Sequence, residues 1–403
     1  MSLFAPDSEW RIGWRIVAAC ALANGTGIAL VFYTFSLFLK PMALELGMSP
    51  SETGLVQSLV VTAALGAPLI GRLTDLWGFR TVYVGCTLLL GLTALAQGTI
   101  MNTGWEWGIS VAFSAFLGSG ASAITLTRPI NAHFRRYRGM ALGLVGAGVS
   151  LTTIFVPPVL ERIIADYGWR SGFLGLAAIS MAIGMPAVLA LMPRAAATAR
   201  IARRGPSTGA GSDWSFLRTD HFWLLTFANI AIAVATSGAV SQLSPMLQAE
   251  GLSPAAAALG LSAYAAGQLA GKLGGGVLLD RFEPRRVAAA MIVVPSVGFM
   301  VLLNSAAPQV AVLFSAAMIG LLHGADVDIF AFFTARRFGY ERYGTVFGVL
   351  HGLGWIGTVG GIIMFSSSAG RLGGYELAQG LSLVALAVGA VLVTRVKLPP
   401  AAS

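Results

Sequence analysis

Long apolar stretches separated by short polar turns recur from one end of the chain to the other, and their lengths predict a helical membrane bundle. A helix needs about 20 residues, rising about 1.5 Å each, to cross about 30 Å of hydrocarbon. Stretches of that kind run near 12–39, 50–71, 80–100, 106–132, 138–161 and 169–192. After a polar gap, six more follow near 218–248, 254–278, 286–304, 308–334, 344–367 and 374–395. The pattern predicts an all-α integral membrane protein of twelve transmembrane helices, arranged as two pseudo-symmetric six-helix bundles over 1–192 and 218–403. Residues 193–217, rich in Ala, Arg, Gly and Ser, bury too little apolar surface to fold alone and read as a cytoplasmic linker. The apolar stretch behind Trp10 is too long for a cleavable signal and has no clear small-residue cleavage site, so it is expected to remain as the first span.

The halves repeat each other in detail. Gly71, Asp75 and Arg80 recur as Gly276, Asp280 and Arg285, and Gly139 and Gly143 recur as Gly344 and Gly348, each displaced by one constant offset in the numbering. Each half thus carries two equivalent basic turns. An acid at a helix end with an Arg in the next turn can form a charge latch that opens and closes as bundles rock. The same residues also serve topology and helix termination, so both roles stand for Asp75, Arg80, Asp280 and Arg285.

Composition agrees with a chain placed largely in lipid: 56% hydrophobic and 11% charged residues, against roughly 25% charged in soluble domains. The net charge of +9 would suggest a nucleic-acid partner in a soluble protein. Here 20 of the 26 Lys and Arg residues fall in turns on the side of the two termini, with Lys40, Arg162, Arg170 and Arg371 opposite. Basic turns are retained in the cytoplasm, which predicts a multi-pass protein of the inner (plasma) membrane with both termini cytoplasmic. The positive charge then lies against an anionic leaflet, and nucleic-acid binding is unsupported. Trp10, Trp14, Trp105, Trp107, Trp169, Trp214 and Trp223 sit near span ends as interfacial anchors. Cys20 and Cys86 have no metal or disulfide spacing. With no metal-ligand spacing and no Gly-rich phosphate loop, an enzyme, a cofactor and an ATP-driven pump are all unsupported, and a gradient must supply the energy.

The spacing of Gly71, Asp75, Gly78 and Arg80 between the second and third spans resembles the corresponding loop of the major facilitator superfamily. Within it, the segments Phe38–Gly47, Arg135–Gly143 and Gly271–Arg281 resemble the monocarboxylate and oxalate/formate transporter branch. The resemblance implies two six-helix domains, a central cavity, alternating access and small carboxylates as cargo. It also implies a role for Lys272, which matches a basic residue used toward substrate carboxylate on the eighth span. The eighth span lacks the acid usual beside that base, and His351 stands where a second fixed cation would be expected. A monoanion moved with a proton fits these departures better than a dianion.

Ionisable residues far from span ends are costly, at least about 2.5 kcal/mol each on insertion scales, and normally have a use. Counted from the basic turns, Arg128, Lys272, His351, Asp328, Asp326 and His323 lie about 10 to 20 Å deep. Two bases and two acids sum to zero. Lys272 and Arg128 could therefore simply neutralise Asp326 and Asp328, or an anion could compete for Lys272 while a carboxyl or imidazole takes a proton. Asp326 and Asp328 are about 200° apart around a helix, so one cavity cannot receive both, whereas His323 and Asp326 share a face. Lys272, Gln268 and Tyr264 form one stripe, and Tyr33, Trp355, Asn24, Asn229 and Gln242 are further polar candidates. His351 could equally be a core histidine. Together these features predict a monomeric secondary carrier of a small organic anion, proton-coupled or exchanging. Alternatives are a proton-driven exporter of amphipathic or cationic compounds, a passive channel, or a non-transporting sensor.

Overall fold

The computed structural model describes residues 9–134, 137–193, 214–304, 307–339 and 343–398, and among them no residue lies in a strand. Eleven helical stretches of the described residues are long and apolar enough to cross a bilayer, from Trp10–Leu37 to Glu376–Arg395. The remaining long helix, Pro254–Arg281, has 28 residues. It falls outside the eleven because Ala and Gly dominate it and Gln268 and Lys272 lower its mean hydropathy. The architecture is the all-α membrane fold that the apolar pattern predicts. Many exposed side chains are large and apolar, including Leu65, Leu92, Phe155 and Val384, as a surface facing acyl chains requires.

Two compact units divide the chain: Met1–Met48 with Leu59–Ser207, and Ser49–Ser58 with Thr208–Ser403. The first span is split into α1 (Trp10–Gly25) and α2 (Ile28–Thr34), because Gly27 adopts an extended conformation that interrupts the helix. After α3 (Leu39–Leu46) come α4 (Pro50–Ser58), which clusters with the second unit, and α5 (Thr62–Trp77), with a 3-10 turn at Leu59–Val61 between them. The first unit continues with α6 (Phe79–Thr99), α7 (Gly104–Gly118), α8 (Ala123–His133), α9 (Arg138–Tyr167), α10 (Trp169–Ile179) and α11 (Met185–Leu191). A π-helical turn at Ser180–Gly184 joins the last two.

The core of the first unit buries Ile16, Cys20 and Ala23 of α1 against Tyr83, Leu126, Ile130, Val145 and Val188. One end is closed by a polar clamp: Glu45 accepts from Trp169 Nε1 at 2.5 Å and pairs with Arg170. Arg170 also donates to Met101 O at 2.9 Å and Asn102 Oδ1 at 3.1 Å. Against the penalty of partial burial, the hydrogen bonds from Trp169 and Arg170 and the Arg170 charge hold the Glu45 carboxyl below the usual range.

The second unit contains α12 (Asp220–Ser241), α13 (Leu243–Ala249), α14 (Pro254–Arg281), α15 (Pro284–Leu302), α16 (Gln309–Phe338), α17 (Tyr343–Leu372) and α18 (Glu376–Arg395). Its interior is lined by buried aromatics including Phe222, Phe299, Phe330, Phe333 and Phe365.

Candidate functional site

The most extensive helix packing in the second unit is between α14 and α16, and glycine makes it possible. A Cβ on Gly267 or Gly271 would overlap the carbonyl oxygen of Ala317 or Leu321 on α16. Conversely, one on Gly320 or Gly324 would overlap the carbonyl of Tyr264 or Gln268 on α14. Small residues at four-residue spacing on both helices let the backbones touch. The polar side chains of α14 are thereby brought against those of α16.

Tyr264 and Gln268 are each 1% exposed. The Tyr264 hydroxyl hydrogen-bonds to His323 Nδ1, and the two rings meet edge-to-face with centroids 6.0 Å apart. Lys272, one turn beyond Gln268, is half-buried and within electrostatic reach of Asp326, Asp328 and His323. The two aspartates differ in surroundings. Asp326 Oδ1 accepts from the Val327 amide at 2.6 Å, whereas Asp328 Oδ2 lies 3.4 Å from where a Gly275 Cβ would be, beside the Met291 methyl. Asp328 is thus lodged where α14 and α15 meet α16. Five sequence candidates, Tyr264, Lys272, His323, Asp326 and Asp328, therefore share one layer of the second unit, with Gln268 beside them.

The other candidates lie elsewhere. Arg128, on α8 of the first unit, places its guanidinium 3.3 Å from a Gly71 Cβ position, against the end of α5. Tyr33, also in the first unit, is half-buried with its ring 5.3 Å from Phe32. On α17, His351 is exposed and stacks on Phe347 at 5.8 Å, which stacks on Tyr343 at 5.3 Å; half-buried Trp355 follows one turn later. This aromatic ladder escaped the reading of the sequence, although its spacing of four residues was a usable signal. Asn24 and Asn229 are helix staples: their Nδ2 atoms donate to Val145 O and Leu350 O, each at 3.1 Å.

The two repeated turns are built differently. In the first unit Gly78 (φ 84°) links α5 to α6, a left-handed conformation that favours glycine. There Arg80 donates to Leu189 O at 2.8 Å, and Arg15 reaches Ala190 O at 3.5 Å, so both satisfy carbonyls at the end of α11. In the second unit Glu283 caps α15 by accepting from the Arg286 amide, and among the described residues Arg285 bonds Glu283 at 3.0 Å. The side chains of Asp75 and Asp280 lie outside the described residues.

Two six-span halves with repeated turns and a polar layer inside one of them define a membrane transporter of the facilitator class. The chain matches the Major Facilitator Superfamily over residues 18–253 and belongs to that family. It is 26% identical over 393 residues to monocarboxylate transporter 11 of Mus musculus, covering 91% of this chain and 80% of that protein. With monocarboxylate transporter 4 of Rattus norvegicus it shares 28% identity over 174 residues, 42% of this chain and 36% of the relative. A bacterial homologue of the human lysosomal transporter Spinster has the same fold, with a TM-score of 0.72 at 15% identity, over 98% of this chain and all of that one. The protein is a multi-pass membrane transporter of that family, resembling its monocarboxylate branch, and not an enzyme.

Proposed function

We propose that the protein is a secondary active carrier of a small, monocarboxylate-like anion, moved by alternating access with a proton or by exchange. The observation that carries this reading is Lys272 held against Asp326, Asp328 and His323 by glycine-packed helices. A charged layer at this depth of a membrane protein is costly and normally has a use. In this reading Lys272 receives the carboxylate, with Gln268 and Tyr264 beside it. Asp326 takes the coupled proton, and His323, fixed by Tyr264, is its neighbour. Asp328, lodged at Gly275, balances charge within the scaffold. Arg128, Tyr33, His351 and Trp355 complete the substrate path, and Asp75, Arg80, Asp280 and Arg285 gate it. The names of the relatives support the cargo class.

The distribution of Lys and Arg supports a plasma-membrane protein with cytoplasmic termini, bundles over 1–192 and 218–403 and a linker over 193–217. It is expected to work as a monomer. The test is uptake of labelled small monocarboxylates into proteoliposomes with and without a pH gradient. Wild type should give saturable uptake with counterflow, and Lys272→Ala should abolish it. Undiminished uptake by that variant would refute the role of Lys272, and flux of cationic compounds instead would favour an exporter.

A further inference from the structure

Away from the Lys272 layer, the second unit contains buried amides with polar atoms that no group among the described residues satisfies. Gln57, from α4, is 3% exposed; its Nε2 reaches Ser241 O at 3.4 Å and its Oε1 has no partner. Ser241 ends α12, and Gln242 interrupts the helix before α13 begins. Gln242, 2% exposed, accepts from the Tyr375 hydroxyl at 3.4 Å while its Nε2 is unpartnered. One turn beyond Tyr375, Gln379 is fully buried with both Nε2 and Oε1 unpartnered.

Leaving a buried amide unsatisfied is expensive, and this chain holds four such atoms. Two are nitrogens that need acceptors and two are oxygens that need donors. A cation would serve only the oxygens and an anion only the nitrogens. Water donates and accepts, and it normally occupies polar interior sites with two to four partners. We propose that Gln57, Gln242, Tyr375 and Gln379 hold a cluster of ordered water at the break between α12 and α13. The water satisfies the amide side-chain atoms that packing around the break leaves unpaired, so the seventh span can bend there at low cost. This site is independent of the cargo assigned to Lys272.

Hydroxyl-radical footprinting of the full-length protein, read by mass spectrometry, tests the proposal. Radicals form at bound water, so Tyr375 (8% exposed) and Met246 (0%), one turn past Gln242, should be modified despite their burial. After correction for intrinsic reactivity, they should react at least about tenfold faster than Phe222, which is as buried as Met246 and lies about 30 Å along the helix from the break. In Gln379→Met the modification should fall severalfold and Tm should drop by about 2–4 °C. Labelling no faster than at Phe222 would overturn the proposal, and this holds even if the variant fails to fold. A rise in Tm for Gln379→Met, or protection of both residues by sodium ion, would also overturn it.

Discussion

The two units are built on one repeat but hold different chemistry. Asn24 to Val145 and Asn229 to Leu350 are the same staple at the same 3.1 Å. Gly66 meets the Phe116 carbonyl in the first unit as Gly271 meets that of Leu321 in the second. In that register, however, Lys272, His323 and His351 replace Ala67, Gly118 and Gly146. The scaffold is duplicated and the ionisable layer is not. Because the first unit folds with Arg128 as its one member of that deep set, the fold does not demand a full ionisable layer, and its cost in the second unit points to function. The basic turns diverge likewise: among the described residues Arg80 is tied to the end of another helix and Arg285 to nearby Glu283.

Packing offers the largest test of this comparison. Gly320→Val drives a side chain into the Tyr264 backbone and should cost about 1–3 kcal/mol or more through overpacking, seen as loss of folded protein in size-exclusion chromatography. Gly139→Ala in the first unit, with nothing within 4 Å of the new Cβ, should leave the yield unchanged. Next come the staples. Asn24→Ala and Asn229→Ala should each lose about 0.5–1.5 kcal/mol and lower Tm similarly. Only Asn229→Ala should also impair uptake, because its carbonyl partner precedes His351. Equal transport defects would mean that the layer is not what separates the units.

Smaller differences are expected at the turns. Arg80→Ala removes a bond to the α11 end and should cost about 0.3–1 kcal/mol; Arg285→Ala, on an exposed pair, should cost less than that. Paired thermal melts would compare them. The smallest effect concerns pH. Because the folded Glu45 carboxyl lies below its ordinary value, its contribution is present above about pH 4.3 and is lost as pH falls through the folded value. The gap in Tm between wild type and Glu45→Gln should therefore close on acidification; a gap that widens would remove the clamp from the account.

Much of this was legible in the sequence, because apolar length and repeat offsets are one-dimensional signals. The spans, the duplication and the grouping of Lys272 with Asp326, Asp328 and His323 needed only helical periodicity and depth. Periodicity also separated the two aspartates, but not which one meets Gly275. Arg128 was read by depth alone, and depth does not say that its guanidinium lies against Gly71. Asn24 and Asn229 looked like possible cavity groups because an amide gives no sign of which carbonyl it bonds. The helix break at Gln242 and the orphaned amides around it depend on tertiary packing that no local pattern encodes.

The assignment of the charged layer is tested most directly by ligand-induced stabilisation of purified wild type and Lys272→Met across a panel of small carboxylates and amines. At least one monocarboxylate should raise the Tm of wild type in a saturable way and leave the variant unmoved, with amines inert in both. Stabilisation of both proteins by the same carboxylate, or of wild type by amines alone, would contradict an anion site at Lys272.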